Sequence, residues 1–195
     1  MPQAQLKLFD APPSLPDGMR YRADLITPQQ ERALVGFIER LPLKPFEFAG
    51  GFRGNRRVLS FGWRYDYQAQ RALAADPMPD ELLALRSQVA RFTGIPAQAF
   101  QQALVTEYAP GAGIGWHKDK AIFGEIVGVS LLAPCTFRLR RREGTGWQRL
   151  SFIAEPRSAY LLSGPSRMLW EHSIPPLDRL RYSVTFRNLA RQRQR

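Results

Sequence analysis

The fold class of this chain is decided by residues 126–154, IVGVSLLAPCTFRLRRREGTGWQRLSFIA. The segment holds three short runs rich in β-branched, aromatic and aliphatic residues, at 126–133, 135–142 and 147–154. A proline separates the first two runs, and the glycines of EGTG separate the last two. Such runs with turn residues between them are typical of β-strands. The segment therefore predicts three consecutive strands.

Further short strands flank this segment on both sides. They are predicted at 56–67, 103–109, 158–163, 167–174 and 180–189. One predicted helix covers 27–41, where Thr27 and Gln30 can form a capping box, and another covers 79–93, which Gly94 can end. Many short strands at near-regular spacing are typical of a sandwich or barrel. The predicted fold is mainly β (α+β): a double-stranded β-helix, or jelly roll, with N-terminal helices that buttress one side.

The length and composition describe one domain. A chain of 195 residues can bury one sizeable core. We expect a flexible arm over 1–20, a single domain over 21–190 and a basic tail over 191–195. One cysteine, Cys135, excludes an intramolecular disulfide. The sequence has neither an 18-residue apolar run nor a signal-like start, so we expect a cytoplasmic monomer with no membrane segment.

The composition is also strongly basic. The net charge is +11, the isoelectric point is near 10.6, and 24 of the 28 basic residues are arginines. The planar guanidinium of arginine suits bidentate contact with phosphates and stacking on bases. This composition favours a polyanionic partner such as nucleic acid. A codon bias toward arginine would give the same composition, so the charge alone leaves both explanations open.

The two histidines of the chain, His117 and His172, lie in the motifs GWHKDK (115–120) and EHSI (171–174). Alternate residues of a strand share a face, so His117 and Asp119 are expected to point the same way. A jelly roll can bring His172 to the same place from a distant strand. Two histidines and one carboxylate form a facial metal triad with three coordination positions left open. Two unrelated histidines or a metal-free hydrolytic pair remain alternatives at this point.

The last predicted strand contains RYSVTFR (181–187) and has two different faces. Its apolar face consists of Tyr182, Val184 and Phe186, and its polar face of Arg181, Ser183, Thr185 and Arg187. If the polar face points into a barrel, its two guanidiniums need anionic partners, because an unpaired buried charge is very costly. A dicarboxylate co-substrate would pair with both arginines. An exposed polar face on an edge strand is the alternative.

Taken together, these motifs resemble those of the AlkB family of Fe(II)- and 2-oxoglutarate-dependent dioxygenases. The resemblance rests on EYAPG (107–111), HKD (117–119), EHSI (171–174) and RYSVTFR (181–187). It covers about residues 100–189 and is weaker over 20–100. It implies a jelly-roll core over 100–189, and helices with a substrate-recognition lid over 20–100.

The resemblance implies a role for each matching residue. His117, Asp119 and His172 would bind Fe(II), Arg187 would bind the C1 carboxylate of 2-oxoglutarate, and Arg181 its C5 carboxylate. Tyr108 matches a co-substrate-binding tyrosine, Thr106 stands where the family usually has asparagine, and Ser183 and Thr185 would line the same pocket. The implied chemistry consumes O2: 2-oxoglutarate is decarboxylated, and an N-methyl group is hydroxylated and lost as formaldehyde.

One position departs from the family's pattern. Members that act on alkylated bases often have an acidic residue two positions after the ligand aspartate, where this chain has Ala121. The departure removes a candidate contact to the substrate base and leaves the iron ligands unchanged.

The candidate substrate contacts are aromatic and basic. In SFGWRYDY (60–67), alternation places Phe61, Trp63, Tyr65 and Tyr67 on one face and Arg64 on the other. Stacking on a base is worth about 1–3 kcal/mol. Arg53 and Arg57 in the preceding segment, and Lys118 and Lys120 on the strand face opposite the ligands, are further candidates. Packing against the helices is the alternative for the aromatics, most of all for Phe61.

A second basic row lies in FRLRRR (137–142), where Arg138, Arg140 and Arg142 share a face. The row suits contact with phosphates. A charged edge strand that discourages aggregation is the alternative.

The resemblance, together with the basic composition, implies a dioxygenase that oxidatively demethylates alkylated bases in DNA or RNA, acting on a single-stranded or flipped base. One alternative is the same chemistry on a protein side chain or in tRNA modification. Another is a non-catalytic basic β-domain that binds nucleic acid and whose histidines are incidental.

Overall fold

The computed structural model describes residues 15–47, 53–67 and 69–190. Most of the predicted arm, the whole predicted tail and the side chain of Arg53 lie outside the described residues. The helices are α1 (Pro28–Ile38), α2 (Asp80–Thr93) and α3 (Gly164–Met168), with a 3-10 turn at Ala97–Ala99. The strands are β1 (Met19–Arg22), β2 (Lys44–Glu47), β3 (Arg53–Phe61), β4 (Trp63–Asp66), β5 (Arg71–Ala74), β6 (Gln102–Tyr108), β7 (Ile114–His117), β8 (Phe123–Leu131), β9 (Cys135–Glu143), β10 (Gly146–Ala154), β11 (Ala159–Leu162), β12 (Glu171–Ile174) and β13 (Arg181–Leu189). None of the helices in the described ranges is long and apolar enough to cross a membrane.

Two antiparallel sheets build the domain. The larger sheet has the order β1-β11-β8-β13-β6-β3-β2, and the smaller has the order β10-β9-β12-β7. An apolar core joins their inner faces: Phe137 and Leu139 of β9 pack with Ile126 of β8 and Tyr160 of β11. The predicted jelly roll is confirmed, and β4 and β5 form a separate two-stranded ribbon.

The N-terminal helices cover the outer face of the larger sheet, as predicted. A second core contains Leu34, Ile38, Leu82, Leu85 and Val89 of the helices, packed with Val105, Val127, Val184 and Phe186 of the sheet. The predicted capping box is present, because Thr27 Oγ1 accepts from Gln30 N at 3.2 Å and Gln30 Oε1 accepts from Thr27 N at 2.8 Å. Gly94 ends α2 in the left-handed conformation.

Strand β13 lies at the centre of the larger sheet, between β8 and β6. Its Tyr182, Val184 and Phe186 belong to the core beneath the helices. Its polar residues therefore face the space between the sheets, and Arg181 is only 1% exposed. The alternative of an exposed edge strand is wrong, because β13 is paired along both sides.

Two predicted strands are interrupted. Residues 56–67 do not form one strand, because Gly62 takes a φ of +73° and splits the segment into β3 and β4. A Cβ at Gly62 would lie 2.1 Å from the Gln101 carbonyl oxygen, so no larger residue fits. The predicted strand over 167–174 begins only at Glu171. Helix α3 precedes this strand. Pro165 lies in its first turn, and Ser166 Oγ caps its N-terminus by accepting a hydrogen bond from Ser163 N at 3.1 Å.

Candidate active site

The three residues predicted to bind a metal converge. His117 and His172 are paired directly across β7 and β12, and their ring centroids are 4.2 Å apart. Asp119 lies in the loop that follows β7, and its Oδ2 lies 3.7 Å from His172 Nε2. One ligand atom from each residue lies within 4.8 Å of the others. The arrangement is that of a facial triad of two nitrogens and one oxygen.

The electrostatics suit a divalent cation. Burial lowers the pKa of His172 to about 3, and burial also lowers the pKa of His117. Burial by itself would raise the pKa of Asp119, but the Arg187 guanidinium and other nearby groups outweigh it and hold the pKa well below its usual range. Metal binding requires neutral imidazoles and an ionised carboxylate. All three ligands are therefore in the correct protonation state at neutral pH.

Second-layer contacts orient each ligand. His117 Nδ1 lies 2.9 Å from the Gly115 carbonyl oxygen, so Nδ1 carries the proton and Nε2 is left to bind metal. The ring of Phe137 stacks on His172, with centroids 5.3 Å apart. Arg187 Nη2 donates to Asp119 Oδ1 at 2.6 Å, which leaves Oδ2 as the ligand atom.

Arg167 holds the loop that carries Asp119, a role that the sequence did not reveal. Its Nη2 donates to the carbonyl oxygens of Asp119, Lys120 and Phe123 at 3.2, 2.8 and 2.8 Å. Its Nε donates to the Gly124 carbonyl at 3.0 Å. The side chain is 6% exposed. The local sequence predicted a strand at this position, and nothing in it indicated a partner more than 40 residues away.

An inner pocket lies behind the triad, between the sheets. Its lining includes all six predicted co-substrate residues: Thr106, Tyr108, Arg181, Ser183, Thr185 and Arg187. Arg181 Nη2 donates to Ser130 Oγ at 2.6 Å, while its Nε and Nη1 are buried without a partner in the described structure. Arg187 Nε is buried and unpartnered in the same way. Two buried guanidiniums with free donors fit a dicarboxylate such as 2-oxoglutarate, because each needs an anion to offset desolvation.

An outer cavity of about 580 Å³ opens in front of the triad. Phe46, Tyr65 and Tyr67 form an aromatic wall, with centroids 5.3 Å apart for the Phe46–Tyr67 pair and 5.0 Å for the Tyr65–Tyr67 pair. Lys120 Nζ lies 5.3 Å from both tyrosine rings. The predicted substrate residues Tyr65, Tyr67, Lys118 and Lys120 all line this cavity.

Arg56 is a further cation of the site and comes from the same predicted basic segment as Arg53 and Arg57. It is 7% exposed, lines both the inner pocket and the outer cavity, and lies over the Phe46 ring at 4.8 Å. The sequence shows it only as one of several arginines after a glycine-rich segment. Its burial depends on the pairing of Arg56 with Tyr108 across β3 and β6, which a local pattern does not reveal.

Several predicted substrate residues lie away from the cavity lining. Phe61 belongs to the core beneath the helices, because the bend at Gly62 puts it on a different face from Tyr65. Trp63 and Arg64 do not line the cavity, and Arg64 is exposed. Arg57 donates to Glu107 at 3.0 Å and to the Leu43 carbonyl at 3.1 Å, also outside the lining. Contact of these side chains with a longer substrate stays a prediction.

This geometry defines an oxygenase that depends on iron and 2-oxoglutarate. The sequence model of the 2OG-Fe(II) oxygenase superfamily matches residues 47–188, and the chain belongs to that superfamily. It is therefore a dioxygenase whose cofactor is Fe(II) and whose co-substrates are 2-oxoglutarate and O2. The alternative of a non-catalytic basic domain is wrong.

Within the superfamily the chain is AlkB-like. It is 29% identical over 182 residues to the alpha-ketoglutarate-dependent dioxygenase AlkB of Salmonella typhimurium, covering 80% of this chain and 82% of that protein. It is 29% identical over 171 residues to a tRNA (carboxymethyluridine(34)-5-O)-methyltransferase of Xenopus tropicalis, covering 84% of this chain. The chain spans only about a quarter of that larger relative, 26% of its length.

Solved structures confirm the fold. The structure of OsALKBH1 superposes with a TM-score of 0.69 at 17% identity, covering 90% of this chain and 100% of that one. A prolyl-4-hydroxylase of Pseudomonas putida gives a TM-score of 0.61 at 15% identity, covering 89% of this chain and 93% of that one.

Proposed function

We propose that this dioxygenase oxidises an alkyl group on a nucleic acid base in DNA or RNA. The observation that carries the proposal is the outer cavity, which places an aromatic wall and several cations directly in front of the triad. A cavity of about 580 Å³ lies within the size range of small-ligand sites and is large enough for an extruded base. The AlkB and tRNA methyltransferase relatives also carry names that refer to nucleic acid or to the AlkB family.

The side chains around the iron site have separable tasks. His117, Asp119 and His172 would hold Fe(II), and Arg181 and Arg187 would hold the two carboxylates of 2-oxoglutarate. When bound, Fe(II) with 2-oxoglutarate and O2 supplies the oxidising power that inserts one oxygen atom into a C–H bond of the substrate. Arg187 contacts Asp119 at 2.6 Å and also faces the inner pocket, so it couples the orientation of the metal ligand to co-substrate binding.

The aromatic wall would hold the base by stacking. Tyr65 and Tyr67 meet edge to face at an interplanar angle of 80° and both line the cavity. Lys118 and Lys120 at the rim would contact phosphates beside the extruded base.

An N-methyl group would be removed in two stages, hydroxylation and then loss of the carbon. The methyl carbon gains one oxygen atom of O2 and becomes a hydroxymethyl group, while 2-oxoglutarate loses CO2 and takes up the other oxygen as succinate. The C–N bond then breaks: the base nitrogen takes the hydroxyl proton, and the carbon leaves as formaldehyde.

A modified nucleoside of tRNA is the second candidate substrate. Three of the similar proteins are named tRNA (carboxymethyluridine(34)-5-O)-methyltransferases, and the chain matches about a quarter of each. Ala121 is exposed and stands where base-repair members often have an acidic residue, so this chain lacks one contact to a methylated adenine or cytosine. A protein side chain is supported only by fold likeness to prolyl hydroxylases.

A substrate panel tests the proposal. The protein with Fe(II), 2-oxoglutarate and O2 would be incubated with methylated single-stranded DNA, methylated duplex DNA, native tRNA and methylated peptides, with His117→Ala as control. We expect substrate-dependent succinate from a nucleic acid, with formaldehyde where the modification is N-methyl, and neither product from the variant. Turnover of peptides alone would refute the proposal.

A further inference from the structure

A row of alternating arginine and tryptophan side chains covers the outer surface of the smaller sheet. Strand β9 directs Phe137 and Leu139 into the core, where both are fully buried, so its intervening arginines point outward. We call this surface the arginine–tryptophan face, and it consists of Trp116, Arg138, Arg140, Arg142 and Trp147.

The side chains of this face contact one another across the strands. The Arg140 guanidinium lies between two indoles, 4.5 Å from the Trp116 centroid and 4.1 Å from the Trp147 centroid. Arg138 lies 5.2 Å from Trp116, and Arg142 lies 4.9 Å from Trp147. The stacking holds the guanidiniums in fixed positions at the surface, with less side-chain freedom to lose on binding.

Most of the positive charge of this face is not neutralised by the protein. Arg140 Nε donates to Glu171 at 2.6 Å. Arg138 donates instead to the Ser173 hydroxyl at 3.0 Å, and Arg142 to the Thr145 carbonyl at 3.4 Å, and neither has a carboxylate partner within the described ranges. Arg149 is paired opposite Arg140 on β10 and adds a further exposed cation.

Protection of a sheet edge does not account for these residues. The order of the smaller sheet places β9 between β10 and β12, so β9 is an interior strand. The alternative that Arg138, Arg140 and Arg142 guard an edge strand is therefore wrong. Edge strands use charge to block pairing by another chain, and β9 already has a partner on each side.

The face is continuous with the mouth of the outer cavity. Trp116 directly precedes His117 and also lines the cavity. Ser173, which accepts from Arg138, directly follows His172. Arg138 and Arg142 are four residues apart on one strand, about 13 Å at the strand rise of ~3.3 Å per residue. Because that span exceeds the ~3.4 Å rise of one nucleotide in a helical strand, the two arginines would contact different phosphates.

We propose that the arginine–tryptophan face binds the sugar–phosphate backbone of the single-stranded nucleic acid whose target base enters the outer cavity. Phosphate oxygens would accept hydrogen bonds from the guanidinium N–H groups of this face. The proposal rests on the proposed function and extends it from the base to its flanking strand. RNA and DNA share the phosphate chemistry, so the experiment includes both.

Fluorescence anisotropy with an unmodified oligonucleotide of about 15 nucleotides, as RNA and as DNA, tests this binding without any turnover. The variant Arg138→Gln/Arg142→Gln is compared with Arg32→Gln/Arg91→Gln, whose arginines are exposed on α1 and α2 at the opposite side of the domain. We expect at least tenfold weaker binding for the first variant and less than a twofold change for the second. The slope of log affinity against log salt should fall by about 1.4, at ~0.7 per lost phosphate contact on a single strand.

Thermal unfolding checks that each variant is folded. If the double variant is unstable, Arg142→Gln alone serves, because Arg142 is exposed and makes one long hydrogen bond; its expected slope change is about 0.7. Equal affinity and salt slope for the two double variants would overturn the proposal. Displacement of the oligonucleotide by an equal concentration of polyglutamate would also overturn it, in favour of an acidic protein partner.

These outcomes are distinguishable from a failure of the proposed function. Anisotropy reports binding even if no base is ever oxidised. If the substrate panel succeeds while the two double variants bind alike, the proposed function is supported and only the proposed role of the arginine–tryptophan face is rejected.

Discussion

The inner pocket and the outer cavity lie on either side of the same triad, but different kinds of structure build them. The inner pocket is lined largely by β6 and β13, long central strands paired with each other in continuous register, with single residues of β3, β8, β9 and β11 and residues of the triad strands β7 and β12. The outer cavity is lined largely by β2, β3, β4, the short strand β7 and the chain that follows it, with a few residues of β6, β8 and β13. The predicted co-substrate residues therefore lie mostly on long paired strands of the larger sheet. The residues proposed to contact the substrate lie mostly on shorter strands and loops, the kind of structure in which binding residues commonly vary.

The largest effect is expected from Asp119→Asn, which removes the carboxylate ligand of the metal triad. A neutral amide is a weak ligand and loses the ion pair with Arg187, so we expect Fe(II) affinity to fall at least a hundredfold and succinate formation to cease. Anaerobic Fe(II) titration measures the first effect. Asp178→Asn, at a fully exposed position, is the matched control. An Asp119→Asn protein with the parent's affinity would exclude the triad as the metal site.

Arg181→Gln should have the next largest effect, a weaker affinity for 2-oxoglutarate. The variant removes the buried donors Nε and Nη1, and each hydrogen bond to a charged group is worth about 1.5–3 kcal/mol, so about a hundredfold rise in the Kd for 2-oxoglutarate is expected. Titration monitored by tryptophan fluorescence measures it. The exposed Arg179→Gln should leave the Kd unchanged. A rise of less than threefold for Arg181→Gln would place the carboxylate elsewhere.

Arg167→Met tests whether the loop after β7 must be held for the triad to form. Loss of the charged donor to four carbonyls should cost about 3 kcal/mol of unfolding free energy, or about 6–12 °C in Tm. Because the loop carries Asp119, Fe(II) affinity should also fall about tenfold. Arg167→Lys should restore part of both. A lower Tm with unchanged Fe(II) affinity would show that Arg167 stabilises the fold without positioning the ligand.

The smallest expected effect is a difference in KM between variants of two neighbouring aromatic residues, Tyr65 and Trp63. Tyr65→Ala should raise the KM for a methylated oligonucleotide about fivefold, the lower end of the ~1–3 kcal/mol that stacking contributes. Trp63→Ala should raise it less than twofold, because Trp63 does not line the cavity. Steady-state assays of formaldehyde release measure both. Equal effects would mean that the substrate contacts more of β4 than the cavity wall.

The same contrast explains which parts of the molecule the sequence predicted. The alternation in β13 predicted both the core beneath the helices and the polar face toward the inner pocket, because one long strand carries both patterns. The motif around His117 predicted the triad together with His172. The capping box at Thr27 is local and was correct.

The outer region and the loop contacts were harder to predict because they depend on long-range pairing. Gly62 breaks the alternation, so Phe61 turns to the core while Tyr65 lines the cavity. The role of Arg167 depends on carbonyl groups more than 40 residues away. The interior position of β9 is a property of the whole sheet, which a row of arginines does not reveal.

The most direct test of the division between the two regions is a crystal structure with Mn(II), 2-oxoglutarate and a methylated trinucleotide, with anomalous diffraction to locate the metal. We expect an anomalous peak between His117, Asp119 and His172, and the carboxylates of 2-oxoglutarate on Arg181 and Arg187. We also expect the methylated base against Tyr65 and Tyr67. A base bound outside the outer cavity, or 2-oxoglutarate bound away from Arg181, would contradict this division.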